Sequence, residues 1–184
     1  MRTEKNWNSI KWKYLPKFPL RVQKDLQQFE SPKTTMVEDS LFIFGEVRTG
    51  KTILAAQYMM NELKDIYLNA YPDKHNKTIF VSFPDMLANI KKTFNSPNRT
   101  EDVMNVYMNA HMLVLDDFIT TRPTDWVIEI IYHLINYRYE NMKKTIITSN
   151  FSLDQLENIL QDQRITSRIE RSYIKIEKQP YETK

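Results

Sequence analysis

The chain contains no cysteine among its 184 residues, which excludes disulfides and any thiolate-held metal. Its three histidines, His75, His111 and His133, are scattered without the spacing of metal ligands. No apolar run approaches the roughly 20 residues that cross a bilayer, and the N-terminus is polar and basic rather than signal-like. These absences describe a cytoplasmic protein with no membrane partner. Glycine is the scarcest backbone resource. There are two, Gly45 and Gly50, against an average usage near 7%. Every other tight turn falls to Asn, Asp, Pro or Ser. Two glycines held so close together mark a place where backbone must approach a ligand closely.

What is present fits an ordinary globular chain, with 41% hydrophobic and 27% charged residues. The length suits one domain with a real core. The formal charge of +3 is unevenly placed. Residues 1–30 carry seven basic side chains against Glu4, Asp25 and Glu30, so the excess lies there, interleaved with Trp7, Trp12, Tyr14 and Phe18. Such a stretch either binds nucleic acid by phosphate contact and base stacking, or docks its aromatics on a core while its lysines face water. We divide the chain into this basic, aromatic arm with its linker over residues 1–35, and a core over 36–184. Ser31-Pro32-Lys33-Thr34-Thr35 reads as the linker.

Apolar runs ending in turn residues predict strands at 40–44, 78–83, 112–115, 145–148 and 173–176. Helical spacing of apolar residues predicts helices at 21–29, 52–68, 84–94, 101–110, 153–160 and 165–169. A longer one starts at Thr124 or Asp125 and turns Trp126, Ile128, Ile131, Leu134, Ile135 and Tyr139 inward. Thr100 and Ser152 are candidate N-caps. Strands alternating with helices predict an α/β fold, a mainly parallel central sheet with helices on both faces.

Four motifs carry chemistry. Gly45-Glu46-Val47-Arg48-Thr49-Gly50-Lys51-Thr52 matches G-x-x-x-x-G-K-[ST] between a strand and a helix, where backbone N–H groups and the helix N-terminus cradle phosphates. Lys51 is then placed for the β- and γ-phosphates of ATP and the Thr52 hydroxyl for Mg2+. Arg48 stands where many such loops have a third glycine. Leu113-Val114-Leu115-Asp116-Asp117 is an apolar strand ending in two carboxylates, the first as metal partner and the second to orient or deprotonate an attacking water. Thr145-Ile146-Ile147-Thr148-Ser149-Asn150 ends a strand with uncharged hydrogen-bonding groups, Asn150 being the candidate for positioning that water. Arg164 and Arg168 in Arg164-Ile165-Thr166-Ser167-Arg168 share a helix face, read either as a solvated basic face or as a source of charge for a transferring phosphate.

In this order and spacing the four motifs resemble the AAA+ ATPases, in particular the DnaC/DnaI helicase-loader and IstB-like group, over residues 40–176. The phrases LFIFGEVRTGKTILAA, IFVSFPDML, LVLDDF, KTIITSNFSLDQL and RITSRI carry the likeness. The resemblance implies a P-loop NTPase of the AAA+ core type, without room for a full helical lid. It makes residues 45–52 the Walker A loop, Asp116 and Asp117 Walker B, Asn150 sensor 1, and Arg168 an arginine finger acting on ATP of an adjacent protomer. It implies an Mg2+-dependent ATPase in DNA replication, self-associating on ATP or DNA, with a replicative helicase and single-stranded DNA as partners. A transposition helper acting on duplex DNA, and an ATP-binding module with negligible hydrolysis, are the alternatives. Lys91, Lys92 and Phe94 form a basic, aromatic cluster for single-stranded DNA, or else a core phenylalanine with solvated lysines.

Overall fold

A computed structural model describes residues 4–28, 40–69, 74, 77–94, 97–170 and 173–175. In chain order these form α1 (Glu4–Ile10), a 3-10 helix (Lys11–Lys17), α2 (Leu20–Gln28), β1 (Leu41–Phe44), α3 (Lys51–Leu68), β2 (Thr78–Ser82), α4 (Phe83–Lys91), α5 (Pro97–Met108), β3 (Met112–Asp116), α6 (Asp125–Glu140), β4 (Lys144–Ser149), α7 (Leu153–Leu160), α8 (Gln163–Ile169) and β5 (Tyr173–Lys175). The linker read at 31–35 lies outside the described residues.

The five strands form one sheet in the order β2-β3-β4-β1-β5, and every pairing is parallel. Because side chains alternate across a strand, each strand feeds two cores. Phe42, Leu113, Leu115 and Ile147 face one side, under α4 to α8. Leu41, Ile43, Met112, Val114 and Ile146 face the other, against α3. Strands buried on both faces read as unbroken apolar runs, which is why LFIF and MLVL stand out in the sequence.

The aromatic arm closes that second face. Trp7, Leu15, Phe18, Val22 and Leu26 are buried against Ala55, Met59 and Leu63 of α3. Trp7 stacks on Tyr14 at 5.1 Å and meets Tyr67 at 5.8 Å, and Lys17 Nζ donates to the Thr78 carbonyl at 3.1 Å. These side chains therefore pack, with Trp12 left exposed. Amphipathic spacing in α2 and the lysines between the aromatics keep the outer face wet.

Three local readings are corrected. Phe83 opens α4 directly after β2, because Ser82 accepts from Asp85 N as N-cap and Pro84 suits the first turn. α5 begins at Pro97, so Thr100 lies inside it rather than capping it. Its hydroxyl donates to the Thr93 carbonyl at 3.1 Å. α6 turns Val127, Ile131, Leu134, Ile135 and Arg138 inward. Trp126 and Ile128 are half-buried and Tyr139 is exposed. A buried arginine is invisible to an apolar-spacing argument. Ser152 does cap α7, in a full capping box with Gln155.

Candidate nucleotide site

The loop between β1 and α3 lies at the carboxyl end of the sheet, beside the ends of β4 and β3. This is where ligands of open α/β sheets bind. Gly50 takes φ 90° immediately before α3, a left-handed conformation that glycine adopts without steric penalty. Arg48, at the position of the missing third glycine, also takes a positive φ of 65° with its side chain exposed. The path is preserved at a backbone cost of about 1–2 kcal/mol.

One contact within the loop and one to β4 brace it. Thr49 Oγ1 donates to the Glu46 carbonyl at 2.9 Å. Gly45 N donates to the Ser149 carbonyl at 3.3 Å, tying the loop to β4. The stem of Lys51 is buried, and its Nζ donates to the Gly45 and Glu46 carbonyls at 2.9 and 2.6 Å. Burial holds its ammonium below the ordinary lysine value, against the pull of Asp117 and Asp116. An anion brought to the loop relieves that penalty.

The acidic side of the site converges on one atom. Asp116 Oδ1 accepts from Thr52 Oγ1 at 2.9 Å and from Thr148 Oγ1 at 2.6 Å. Burial pushes the Asp116 carboxyl up; the two hydroxyl bonds lower it, Asp117 raises it and Lys51 lowers it. A buried carboxylate held partly against its preference is an acceptor for a cation. A hard divalent ion asks for one or two carboxylate or hydroxyl oxygens, with water and phosphate completing the shell. Thr52 and Asp116 are that donor set, so the residues present fit Mg2+. Among the described residues no cluster of three or more His, Cys, Asp or Glu offers a cage independent of a ligand.

Asp117 departs from the strand. Its φ of 54° turns its side chain out to solvent, while its N–H donates to Thr148 Oγ1 at 3.0 Å. Ile119 also sits at φ 54°, strained for a β-branched residue, and its side chain is buried. Between them Phe118 N donates to the Thr148 carbonyl at 2.8 Å, and its carbonyl accepts from Ser149 Oγ at 3.0 Å. The turn carrying Asp117 is thus pinned to the end of β4. Asn150 follows next in the chain and is exposed. The motif singles out Asn150, but it is the hydroxyls of Thr148 and Ser149 that organise the turn after β3. Their signal was present, as two hydroxyls ending a buried strand.

The remaining candidates lie elsewhere. Arg164 forms an ion pair with Asp162 at 2.7 Å and lies 4.4 Å over the Tyr132 ring. Arg168 donates through Nη1 to the Arg164 carbonyl at 2.6 Å and lies 5.7 and 5.6 Å from the rings of Tyr132 and Tyr139. It lines a cavity with Ser40, Lys143 and Lys144, residues at the amino ends of β1 and β4. At about 3.3 Å per residue the six residues of β4 separate this end from the phosphate loop by roughly 17 Å. Phe94 meets Trp126 edge-on at 5.1 Å, with Lys91 Nζ 5.3 Å from the same ring and Lys92 exposed. Glu101 and Glu129 line the groove beside Phe94.

The model of the IstB-like ATP binding protein family matches residues 1–172. The chain belongs to that family. The chain is 27% identical over 119 residues to the replicative helicase loader DnaI of Bacillus subtilis, covering 64% of this chain and 35% of that protein. Among solved structures, a DnaC helicase loader aligns with a TM-score of 0.58 and 25% identity, covering 95% of this chain and 98% of that one. AMPPCP-bound DnaA from Aquifex aeolicus aligns with a TM-score of 0.61 and 26% identity over 76% of this chain and 40% of that one. The chain spans less than half the length of the curated relatives it matches. This IstB-like chain therefore has the P-loop AAA+ fold of replication-related ATP-binding proteins, as its motif order implied. Among the described residues no helix is long and apolar enough to cross a membrane.

Proposed function

We propose that this chain hydrolyses ATP with Mg2+ and serves DNA replication as a DnaC-like helicase loader. The observation that carries the ATPase reading is the meeting of Thr52, Asp116 and Thr148 on one buried carboxylate oxygen beside the phosphate loop. Backbone N–H groups of residues 45–52 and the Lys51 ammonium bind and orient the phosphates. Thr52 and Asp116 hold Mg2+, which when bound neutralises charge on the phosphate oxygens. Asp117 is turned toward solvent and takes the proton of the attacking water, and Asn150 orients that water. Water oxygen bonds to the γ-phosphorus as the bond to the bridging oxygen breaks, releasing ADP and phosphate.

Arg168 cannot serve the loop of its own chain across the length of β4, so it acts on nucleotide held by a neighbour. The loader role draws support from similarity to the replicative helicase loader DnaI and the DnaC helicase loader. Single-stranded DNA and a replicative helicase are the partners, with Lys91, Lys92 and Phe94 as candidate strand contacts. The test is ATP hydrolysis by purified protein, with and without single-stranded and duplex oligonucleotides, over a range of protein concentrations. The expected result is stimulation by single strands, rising more than linearly with protein. Stimulation by duplex alone would overturn the loader in favour of a transposition helper. Binding of ATP without turnover, with every DNA and with helicase, would overturn the ATPase reading.

A further inference from the structure

The central sheet separates two surface features of opposite charge. On the α3 side, the 3-10 helix of the arm leaves Trp12 41% exposed, whereas Trp7, Leu15 and Phe18 of the same arm are buried. Lys11 Nζ lies 4.5 Å from the centre of the Trp12 ring, and Lys13 is exposed. At three residues per turn, neighbours point roughly 120° apart, so the two lysines diverge around the indole. A tryptophan body buries a large apolar area when it finds a partner, which is why this residue is enriched at the centres of interfaces.

On the other side, α5 and α6 wall a groove of about 610 Å3, within the range of roughly 300–1,000 Å3 that suits a ligand or an anchoring side chain. Its apolar lining includes Met104 and Met108 of α5 and Trp126 and Ile130 of α6. Each helix also carries one exposed glutamate into the lining, Glu101 and Glu129, with His133 as the other titratable residue there. Lys91, whose Nζ lies 5.3 Å from the Trp126 ring, does not line the groove. Methionine and tryptophan offer a polarizable surface to an aromatic ring, and the two carboxylates favour a cation over a nucleic-acid phosphate. Neither these glutamates nor Lys11 and Lys13 form an ion pair among the described residues.

The two features match in shape class and in charge. An indole bracketed by lysines complements an apolar groove with a glutamate on each wall. The chain cannot fill its own groove, because the arm packs on α3 while α5 and α6 cover the opposite face of the sheet. Complementary patches on different surfaces of one chain define a heterologous, head-to-tail contact. We propose that Trp12 of one copy inserts into the α5–α6 groove of a second copy, with Lys11 and Lys13 pairing with Glu101 and Glu129. The contact involves neither the phosphate loop nor the acidic pair, so it forms without nucleotide and does not rest on the ATPase or loader reading. Each added copy keeps one unpaired Trp12 and one open groove, so assembly grows with protein concentration until a circle closes.

The experiment is sedimentation velocity of the full chain without nucleotide, over a range of protein concentrations at low and high salt. Wild type is expected to self-associate as concentration rises, and less so at high salt, where the lysine–glutamate pairs are screened. Trp12→Ala should associate about 30-fold more weakly, as loss of a central aromatic anchor does. The double variant Glu101→Lys/Glu129→Lys should be weakened as well, and adding Lys11→Glu/Lys13→Glu to the same chain should restore association. These positions lie at the surface, and circular dichroism checks that each variant keeps the fold. The decisive result is a mixture of Trp12→Ala with Glu101→Lys/Glu129→Lys at a concentration where each alone is monomeric. One supplies an intact groove and the other an intact Trp12, so the mixture should form dimers and nothing larger. A monomeric wild type, a Trp12→Ala variant that associates as wild type does, or a mixture that stays monomeric would each overturn the proposal. If Lys11→Glu/Lys13→Glu loses affinity for a single-stranded oligonucleotide and self-associates as wild type does, the arm is a nucleic-acid contact and the proposal is likewise overturned.

Discussion

Replacing Arg138 by leucine removes the most heavily hydrogen-bonded buried side chain among the described residues. The residue is 1% exposed. Nε donates to Thr145 Oγ1 at 2.8 Å, Nη1 reaches the carbonyls of Tyr107, Met108 and Ala110 at 2.8, 3.1 and 3.0 Å, and Nη2 reaches the Lys144 carbonyl at 2.5 Å. These carbonyls include the last two of α5, which have no partner within that helix. Burial pushes the arginine down to about 9, so it remains a cation at neutral pH, with no ion-pair partner among the described residues. Hydrogen bonds from a charged donor contribute about 1.5–3 kcal/mol each, while burying the cation costs several kcal/mol. Leucine recovers the second quantity but strands four carbonyls at about 1–3 kcal/mol apiece where water does not enter. The net loss is about 3–5 kcal/mol, or roughly 6–20 °C in melting temperature for a chain of this size. Arg138→Lys keeps the charge without the fork and should recover less than half of the loss. Urea unfolding followed by circular dichroism measures both. A leucine variant melting within 2 °C of wild type would refute the claim that this arginine ties α5, α6 and β4 together.

Three further outcomes follow from the same geometry. Asp116→Asn keeps an acceptor for Thr52 and Thr148 but removes a buried charge, so the nucleotide-free protein should gain on the order of 1 kcal/mol while hydrolysis is lost. Because the folded Asp116 pKa is raised, wild-type stability from this group is full below the ordinary value of 3.8 and is lost as pH rises through the folded value. The advantage of Asn in thermal melts should therefore grow with pH in that window and then level off. Glu62 has the opposite sign. Burial raises it, but bonds from His111 at 2.5 Å and Lys144 at 2.8 Å, with their charges, hold it below 4.5. Its contribution is full above 4.5 and lost as pH falls through the folded value, so Glu62→Gln should flatten the acid arm of the stability profile. Trp7→Ala should cost about 3–5 kcal/mol, since the ring is buried against α3, and should unfasten the arm, read as faster proteolysis near the N-terminus.

The phosphate loop, the apolar strand ending in Asp116-Asp117 and the α/β alternation were legible because each is written in contiguous residues. A glycine at Gly50 and a doubly buried run at residues 112–115 announce their conformation without help from the rest of the chain. The five strands and most helices fall where apolar spacing put them. Tertiary structure alone decided the rest. Arg138 is a polar residue whose burial depends on carbonyls from α5, β4 and the connection at Ala110, so no local pattern reveals it. Thr148 became a partner of Asp116 because β4 inserts beside β3, a neighbour relation fixed by sheet order and not by sequence distance. The arm's aromatics were equally suited to bases or to a core until α3 was seen to offer Ala55, Met59 and Leu63 beneath them. The cationic cavity at Lys143 and Arg168 likewise exists only where strand starts and a distant helix meet. Sequence determines what each segment can become, but charge that must be satisfied across segments is settled by the fold.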